Sequence, residues 1–337
     1  MMNRSYLLML MLAICALSYT ACNDDDADGR TAVEYNPNCC VYGTMQRDGD
    51  SQRWEVAIDL ESGAWDSIPG TRRAGAGFQV PVGVNRLNDF AGNRHLYTDF
   101  NGFNLVVQDL VTFDTVAVPL NDPETGLKIN GSLFLQKARS SDEYFLFSDL
   151  EDRVYRIDLG AQALSIALDT FQLGFDLLND FIYSPSEDYF VFLGQVNQGF
   201  TERLYTATIF DNATKMLVAR DTFPQRLFGF VPDPDLGRMF ALTFPENGFG
   251  YRLYEVRFEG EEGLSYTELS ASNLAIGQLS EQLQTLHTSS NSYLCYGDNS
   301  SAGNPLKVIF QVDLSTGELI SQIVLDDFGT MIKLDGE

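Results

Sequence analysis

Beyond residue 40, apolar and polar residues alternate over short runs, and no stretch sustains the three-to-four spacing of a helix. Six runs share one plan, an alternating strand ending on an acidic or small tight turn, with a second strand behind it. They are Trp54–Leu60, Leu105–Leu110, Val154–Leu159, Tyr205–Phe210, Leu253–Phe258 and Val308–Leu314. Aligned on Asp59, Asp109, Asp158, Asp211, Arg257 and Asp313, the copies are 50, 49, 53, 46 and 56 residues apart, a mean of about 51. About 14 residues ahead of each anchor sits a second element. In four copies it is a polar turn running into an aromatic strand: Ser141–Phe145, Ser186–Phe190, Asp235–Phe240 and Ser290–Leu294. A looser version is Gly92–Tyr97, and a still earlier apolar strand precedes each turn, as in Phe181-Ile182-Tyr183.

Four short strands per unit of about 50 residues is the pattern of a β-propeller blade. The expected fold is therefore all-β, a six-bladed β-propeller of four-stranded antiparallel blades. Seven blades are the alternative if one copy is degenerate. A sandwich has no need of six equal repeats, and a parallel β-helix repeats in about 20 residues per turn. The turn Tyr183-Ser184-Pro185-Ser186-Glu187-Asp188-Tyr189 resembles the Ser-Pro-Asp-Gly turns of TolB-like six-bladed propellers, a resemblance that spans roughly residues 35–334. Blade 1 has strand patterns near Val41–Gln46, Arg53–Leu60 and Ala64–Ile68 but none for an innermost strand near Arg30. After the outer strand of blade 6, Leu319–Leu325, the segment Thr330–Leu334 is spare. It is expected to cross over as the innermost strand of blade 1, so that the C-terminal strand closes the ring and removes two open sheet edges.

Three segments are expected: a lipoprotein signal peptide (1–21), an acidic tether (22–34) and the propeller (35–337). Arg4 precedes an apolar run, Tyr6–Leu17, too short to span a bilayer comfortably. It ends in Ser18-Tyr19-Thr20-Ala21-Cys22. Small residues before a cysteine resemble the lipobox of bacterial lipoproteins, which implies acylation at Cys22. Tyr19 departs from the aliphatic residue usual there. The aspartates that follow, Asp24, Asp25, Asp26 and Asp28, resemble the surface-export signal of Bacteroidota lipoproteins. The resemblance implies an outer-membrane, cell-surface protein that meets the membrane through its lipid alone. Asp24, Asp26 and Asp28 with Gly29 mimic the start of an EF-hand loop, but Tyr35 stands where the bidentate Glu is needed, so no metal is expected there.

Composition narrows function chiefly by exclusion. Lys and Arg number 22 against 47 Asp and Glu, a formal charge of −25, which repels nucleic acid and anionic membranes. Two histidines offer little for a zinc site or a His-based centre. His95 and His287 fall in strands and read as structural. There is no P-loop, Gly-x-Ser-x-Gly or His-Glu-x-x-His, so no catalytic residue, metal or cofactor is assigned. Of the thiols beyond Cys22, Cys39 and Cys40 are adjacent and would point oppositely in a strand. At most one could reach Cys295, and free buried cysteines are the expectation.

The candidate site lies where the loops between strands 2 and 3 gather with the interblade loops, here termed the top face. Those loops are Phe100–Asn104, Gln195–Phe200, Glu246–Tyr251 and Asp298–Asn304. Aromatic faces beside side-chain amides suit a glycan or a peptide. Phe103, Asn104, Asn197, Phe200, Phe249 and Tyr251 are the proposed lining, and the adjacent pair Arg72 and Arg73 would catch an anionic group. Ordinary turn chemistry explains the same Asn-Gly and Gly-Phe steps. The resulting expectation is a non-catalytic propeller binding a glycan, a peptide or an outer-membrane protein partner. An extracellular hydrolase using acidic residues at the channel mouth is the alternative.

Overall fold

The computed structural model describes residues 40–46, 52–68, 73–74, 86–89, 92–99, 104–109, 112, 114–138, 142–169, 173–198, 202–223, 227–233, 237–243, 250–270, 273–274, 276, 278–299, 306–326 and 328–335. Cys22, the tether and Cys39 lie outside them. Blade 1 holds β1 (Cys40–Gln46), β2 (Gln52–Asp59) and β3 (Trp65–Ser67), with a two-residue strand β4 (Arg73–Ala74) paired to β2 beyond β3. Blade 2 is β5 (Arg86–Asp89), β6 (Arg94–Thr98), β7 (Asn104–Asp109) and β8 (Thr115–Pro119). Blade 3 is β9 (Leu133–Lys137), β10 (Glu143–Ser148), β11 (Arg153–Asp158) and β12 (Ala163–Asp169). Blade 4 comprises β13 (Leu177–Ser184), β14 (Tyr189–Gln198), β15 (Glu202–Asp211) and β16 (Leu217–Phe223). Blade 5 comprises β17 (Leu227–Asp233), β18 (Arg238–Thr243), β19 (Arg252–Phe258) and β20 (Leu264–Glu268). In blade 6, β21 (Gln278–His287), β22 (Ser292–Asn299), β23 (Leu306–Asp313) and β24 (Leu319–Val324) are followed by β25 (Thr330–Asp335).

Every blade is an antiparallel meander, and β25 pairs with β1 from Gln46↔Thr330 to Tyr42↔Asp335, as the innermost strand of blade 1. The innermost strands approach in succession from β5 through β9, β13, β17 and β21 to β25. Blade 6 thus seats directly on blade 1, and the ring has six blades. The closing segment is locked by packing. Phe328, Met331 and Leu334 are buried with Val41, Met45 and Leu294, and the Trp65 indole N–H donates to the Asp326 carbonyl at 2.9 Å.

The repeat anchors coincide in register. Asp59, Asp109, Asp158, Asp211, Arg257 and Asp313 each oppose the first residue of strand 2 in their blade. The aspartates recur there because each ends strand 3 and organises the turn to strand 4. Asp59 accepts from the Ser62 N–H, Asp109 from Thr112, Asp158 from Ala161, Asp211 from Thr214 and Asp313 from Thr316. The fourth residue after the aspartate takes a left-handed φ. It is a glycine at Gly63 (72°) and Gly317 (67°), but Gln162 (50°) in blade 3 and Lys215 (61°) in blade 4. Blade 5 lacks the aspartate and turns through a short 3-10 helix, Gly260–Glu262, instead.

Burial falls from the axis outwards. Strand 2 is covered on both faces by neighbouring blades, as Tyr144–Ser148 are all buried, whereas outer strands such as β12 alternate with solvent. The interface of blades 3 and 4 is built from Phe134, Phe145, Phe147, Phe181, Phe190 and Phe192. That of blades 1 and 2 is different. On the blade 1 side Cys40, Tyr42, Ala57 and Ile68 are buried together, and the described contact across to blade 2 is polar: the buried Thr44 hydroxyl donates to Glu55, whose other oxygen lies 3.3 Å from His95 Nε2. Of the two described cysteines, Cys40 is buried in blade 1, and Cys295 is a free thiol buried between blades 5 and 6.

Candidate functional site

Strand direction places Asn104, Asn197 and Tyr251 at the top end of the ring, in blades 2, 4 and 5. Asn104 opens β7, and its amide donates to Asp99 Oδ2 at 2.7 Å while its carbonyl accepts from the Asp99 N–H at 2.9 Å. The side chain thus closes its own loop. Tyr251 pairs with Leu274 through N–H···O bonds in both directions. Its ring is only 9% exposed and meets Phe228 edge-on at 5.8 Å, so it belongs to the core between blades 5 and 6. Asn197 is paired with Arg203 near the tip of β14, and Arg73 lies in β4 opposite Arg53. The side chains of those two residues, and all of Phe103, Phe200, Phe249 and Arg72, lie outside the described residues.

The described top face carries a polar cluster that the residue-by-residue reading did not single out. The segment between β8 and β9 folds into a small hairpin held by Asn121↔Lys128 pairing, with Asp122 at its base. Asp122 Oδ1 accepts from the N–H groups of Glu124 and Thr125 and from the Thr125 hydroxyl. Asp122 Oδ2 lies 2.8 Å from Arg153 Nη1 and 2.9 Å from the Tyr155 hydroxyl. Arg153 also reaches Asp169 and Glu124, and Tyr155 contacts Glu151 as well. Burial by itself would raise the Asp122 carboxyl. The Thr125 N–H, the Tyr155 and Thr125 hydroxyls and the Arg153 guanidinium outweigh it and hold the group well below the usual carboxylate range. Burial, with Glu151 and Asp122 adding to it, pushes the Tyr155 phenol up. The Asp122 turn has the same Asp-x-x-Thr-Gly spacing as the strand 3–4 turns, so its shape was legible. Its partners Arg153 and Tyr155 come from the next blade and were not.

Chemically, Asp122 and Glu151 are two carboxylates meeting at one hydroxyl, near enough to invite comparison with an acid–base pair. Asp122 is held ionised with both oxygens occupied, which suits bracing and not proton delivery. The cluster also sits over β11 and β12, the outer half of blade 3, away from the innermost strand β9. Both histidines are in strands. His95 is fully buried against Glu55, and burial pushes the His287 imidazole below its ordinary value.

No protein-family description and no curated protein matches the chain. Solved structures do. TolB from Acinetobacter baumannii is similar with a TM-score of 0.58 and 11% identity, over 89% of this chain and 67% of that one. A putative 6-phosphogluconolactonase from Bacteroides fragilis gives 0.51 and 12%, over 90% and 85%. A nidogen/laminin complex structure gives 0.50 and 8%, over 88% and 97%. At these identities the likeness is one of fold: an all-β six-bladed propeller with TolB-like neighbours.

Proposed function

We propose that this propeller is a lipid-anchored, outer-membrane protein of the Bacteroidota surface type that binds a glycan or a peptide at its top face without catalysis. The observation that carries the non-catalytic reading is the engagement of Asp122. Among the described residues, the carboxylates that converge at this face are consumed in holding loops together. Hydrolysis at the channel mouth would need an acid and a base free to exchange protons. Asn104 contributes by bracing its loop, and Phe103, Asn197, Phe200 and Phe249 supply the platform, with Arg72 and Arg73 at the interblade loop. Tyr251 supports the loop from within the core. Anchoring through Cys22, with the aspartates behind it, delivers this face outwards, so partners are extracellular glycans, peptides or an outer-membrane protein.

Glycan and peptide arrays probed with wild-type protein and with the Phe103→Ala/Phe249→Ala double variant test the site. Hits should fall at least about tenfold in affinity, the loss expected when stacking faces are removed. Binding that survives both changes overturns the placement. Cys22→Ala in the same cells should move the protein to soluble fractions, and unchanged membrane association overturns the anchor.

A further inference from the structure

The opposite end of the ring carries two cations that, among the described residues, make no ion pair with a carboxylate. Arg156 lies in β11 and alternates with buried Val154, on the face turned to blade 4. Its guanidinium carbon is 5.8 Å from the centroid of the Phe145 ring. Its Nε is buried and has no hydrogen-bond partner among the described residues. Every other arginine whose side chain is described donates to a carboxylate, a hydroxyl or a carbonyl. In a chain with more than twice as many acids as bases, an arginine with no acceptor is the exception. Such a group costs stability unless something completes it.

Lys215 reaches the same place from the strand 3–4 turn of blade 4. It occupies the left-handed position that Gly63 and Gly317 fill in blades 1 and 6, a conformation that a residue with a side chain adopts only at a cost. Its Nζ lies 6.0 Å over Phe190 and donates to Asn212 at 2.7 Å. Phe190 in turn meets Phe145 edge to face at 4.8 Å, so both cations stand over one continuous aromatic floor. Burial first, and then the charge of Arg156, pull the Lys215 ammonium below its ordinary value. The charges of Asp188 and Asp211 oppose that shift in part, while one oxygen of each is engaged by neighbours other than Lys215. Asp188 Oδ1 accepts from the Tyr183 hydroxyl and Asn212, and Asp211 Oδ1 from Thr214.

Beside the cations is exposed apolar surface. Met216 follows Lys215 directly and is 67% exposed, and Leu217 is 52% exposed. Leu217 pairs with Phe210, which packs on Phe192 at 5.9 Å, so Leu217 lies on the blade face that looks towards Arg156. We propose that this corner, between blades 3 and 4 at the strand 3–4 turn end, is a second binding site, one for an organic carboxylate: Arg156 and Lys215 take the carboxylate and Met216 and Leu217 take its apolar body. The ligand is a free branched or aryl acid, or the C-terminal carboxylate of a peptide ending in an apolar residue.

Calorimetric titration of the full chain tests this with 4-methylpentanoate, acetate, inorganic phosphate, the tripeptide Gly-Gly-Leu and its C-terminal amide. Wild-type protein should bind 4-methylpentanoate about tenfold or more tighter than acetate or phosphate. Arg156→Gln and Lys215→Gln should each weaken it by about tenfold or more, the worth of one charge-assisted hydrogen bond. Met216→Ser should narrow the gap between 4-methylpentanoate and acetate. Gly-Gly-Leu binding as tightly as the free acid, with its amide inert, identifies a peptide terminus, and binding of the free acid alone identifies a small molecule. Arg156→Leu guards against misfolding as an explanation, since it should keep or raise the melting temperature while abolishing binding. The proposal is overturned by affinity unchanged in Arg156→Gln, by no saturable carboxylate binding to wild-type protein, or by a lowered melting temperature in Arg156→Leu.

Discussion

Single aspartates hold the turns at the strand 3–4 end of the ring, and they do so only as carboxylates. The Ser62 hydroxyl and N–H lower Asp59 first. The Thr214 N–H leads at Asp211, and the Ser315 hydroxyl leads at Asp313. A folded value below the unfolded one, about 3.9, means the stabilisation is fully present above that pH and is lost as pH falls through the folded value. These groups are shallow, so solvent screens much of the effect. Asp313→Ala should therefore cost about 0.5–1.5 kcal/mol at pH 7, the range for one hydrogen-bonded turn. The difference in melting temperature between variant and wild type should shrink towards zero at a pH low enough to protonate Asp313 in the folded wild type. A difference that persists at that pH would show that the carboxylate charge is not what holds the turn.

At the level of elements, the strand that matters most is the last. β25 covers the edge of β1 and brings Met331 and Leu334, with Phe328 ahead of them, into the core shared by blades 6 and 1. Phe328 meets Trp65 edge-on at 5.1 Å, and the Gly329 N–H lies 3.4 Å from Met45 Sδ. Each of these buried side chains is worth roughly 1.5–3 kcal/mol, against a whole-domain stability of about 5–15 kcal/mol. Deleting residues 328–337 should abolish the cooperative melt or lower its midpoint by well over about 10 °C, followed by circular dichroism. An unchanged midpoint would mean that the ring closes without this strand. The deletion also bares the β1 edge, so soluble aggregates are expected on size-exclusion chromatography.

Across the whole molecule, the blade interfaces are unequal. Blades 3 and 4 meet through interlocking phenylalanines, with Phe147 edge to face with Phe192 at 5.0 Å and tilted against Phe181 at 5.4 Å. Among the described residues, blades 1 and 2 meet through the Thr44–Glu55–His95 chain, where His95 takes the register position held by Tyr144, Phe190, Met239 and Tyr293 elsewhere. Buried polar contacts return less net stability than the apolar area they displace. The ring should therefore open first between blades 1 and 2. Native-state hydrogen exchange should give lower opening free energies for amides of β1 and β6 than for those of β10 and β14. Equal protection across the two interfaces would contradict this.

Much of the architecture was legible because it is written locally. Alternation over a few residues specifies a strand, and Asp-x-x-Ser/Thr-Gly specifies the turn after it. A period of about 51 residues specifies the blade, so even Arg257 could be placed in register without its aspartate. The closure by Thr330–Leu334 followed from counting strands, since blade 1 lacked one and the chain's end had one to spare. Side-chain fate was another matter. Tyr251 sits in a loop rich in surface-like residues yet is drawn into the core, because Leu274 from the interblade segment pairs with it. His95 meets Glu55, Asp122 meets Arg153, and the Arg156 Nε meets no acceptor among the described residues. In each case the deciding neighbour belongs to the next blade or to a distant loop, some 20 to 60 residues away. The sequence by itself determined the strands, the turns, the repeat and the way the ring closes, since those depend on nearest neighbours along the chain. Only the tertiary structure decided which polar groups are satisfied within the fold and by which partners, because that depends on which blade faces which across the ring.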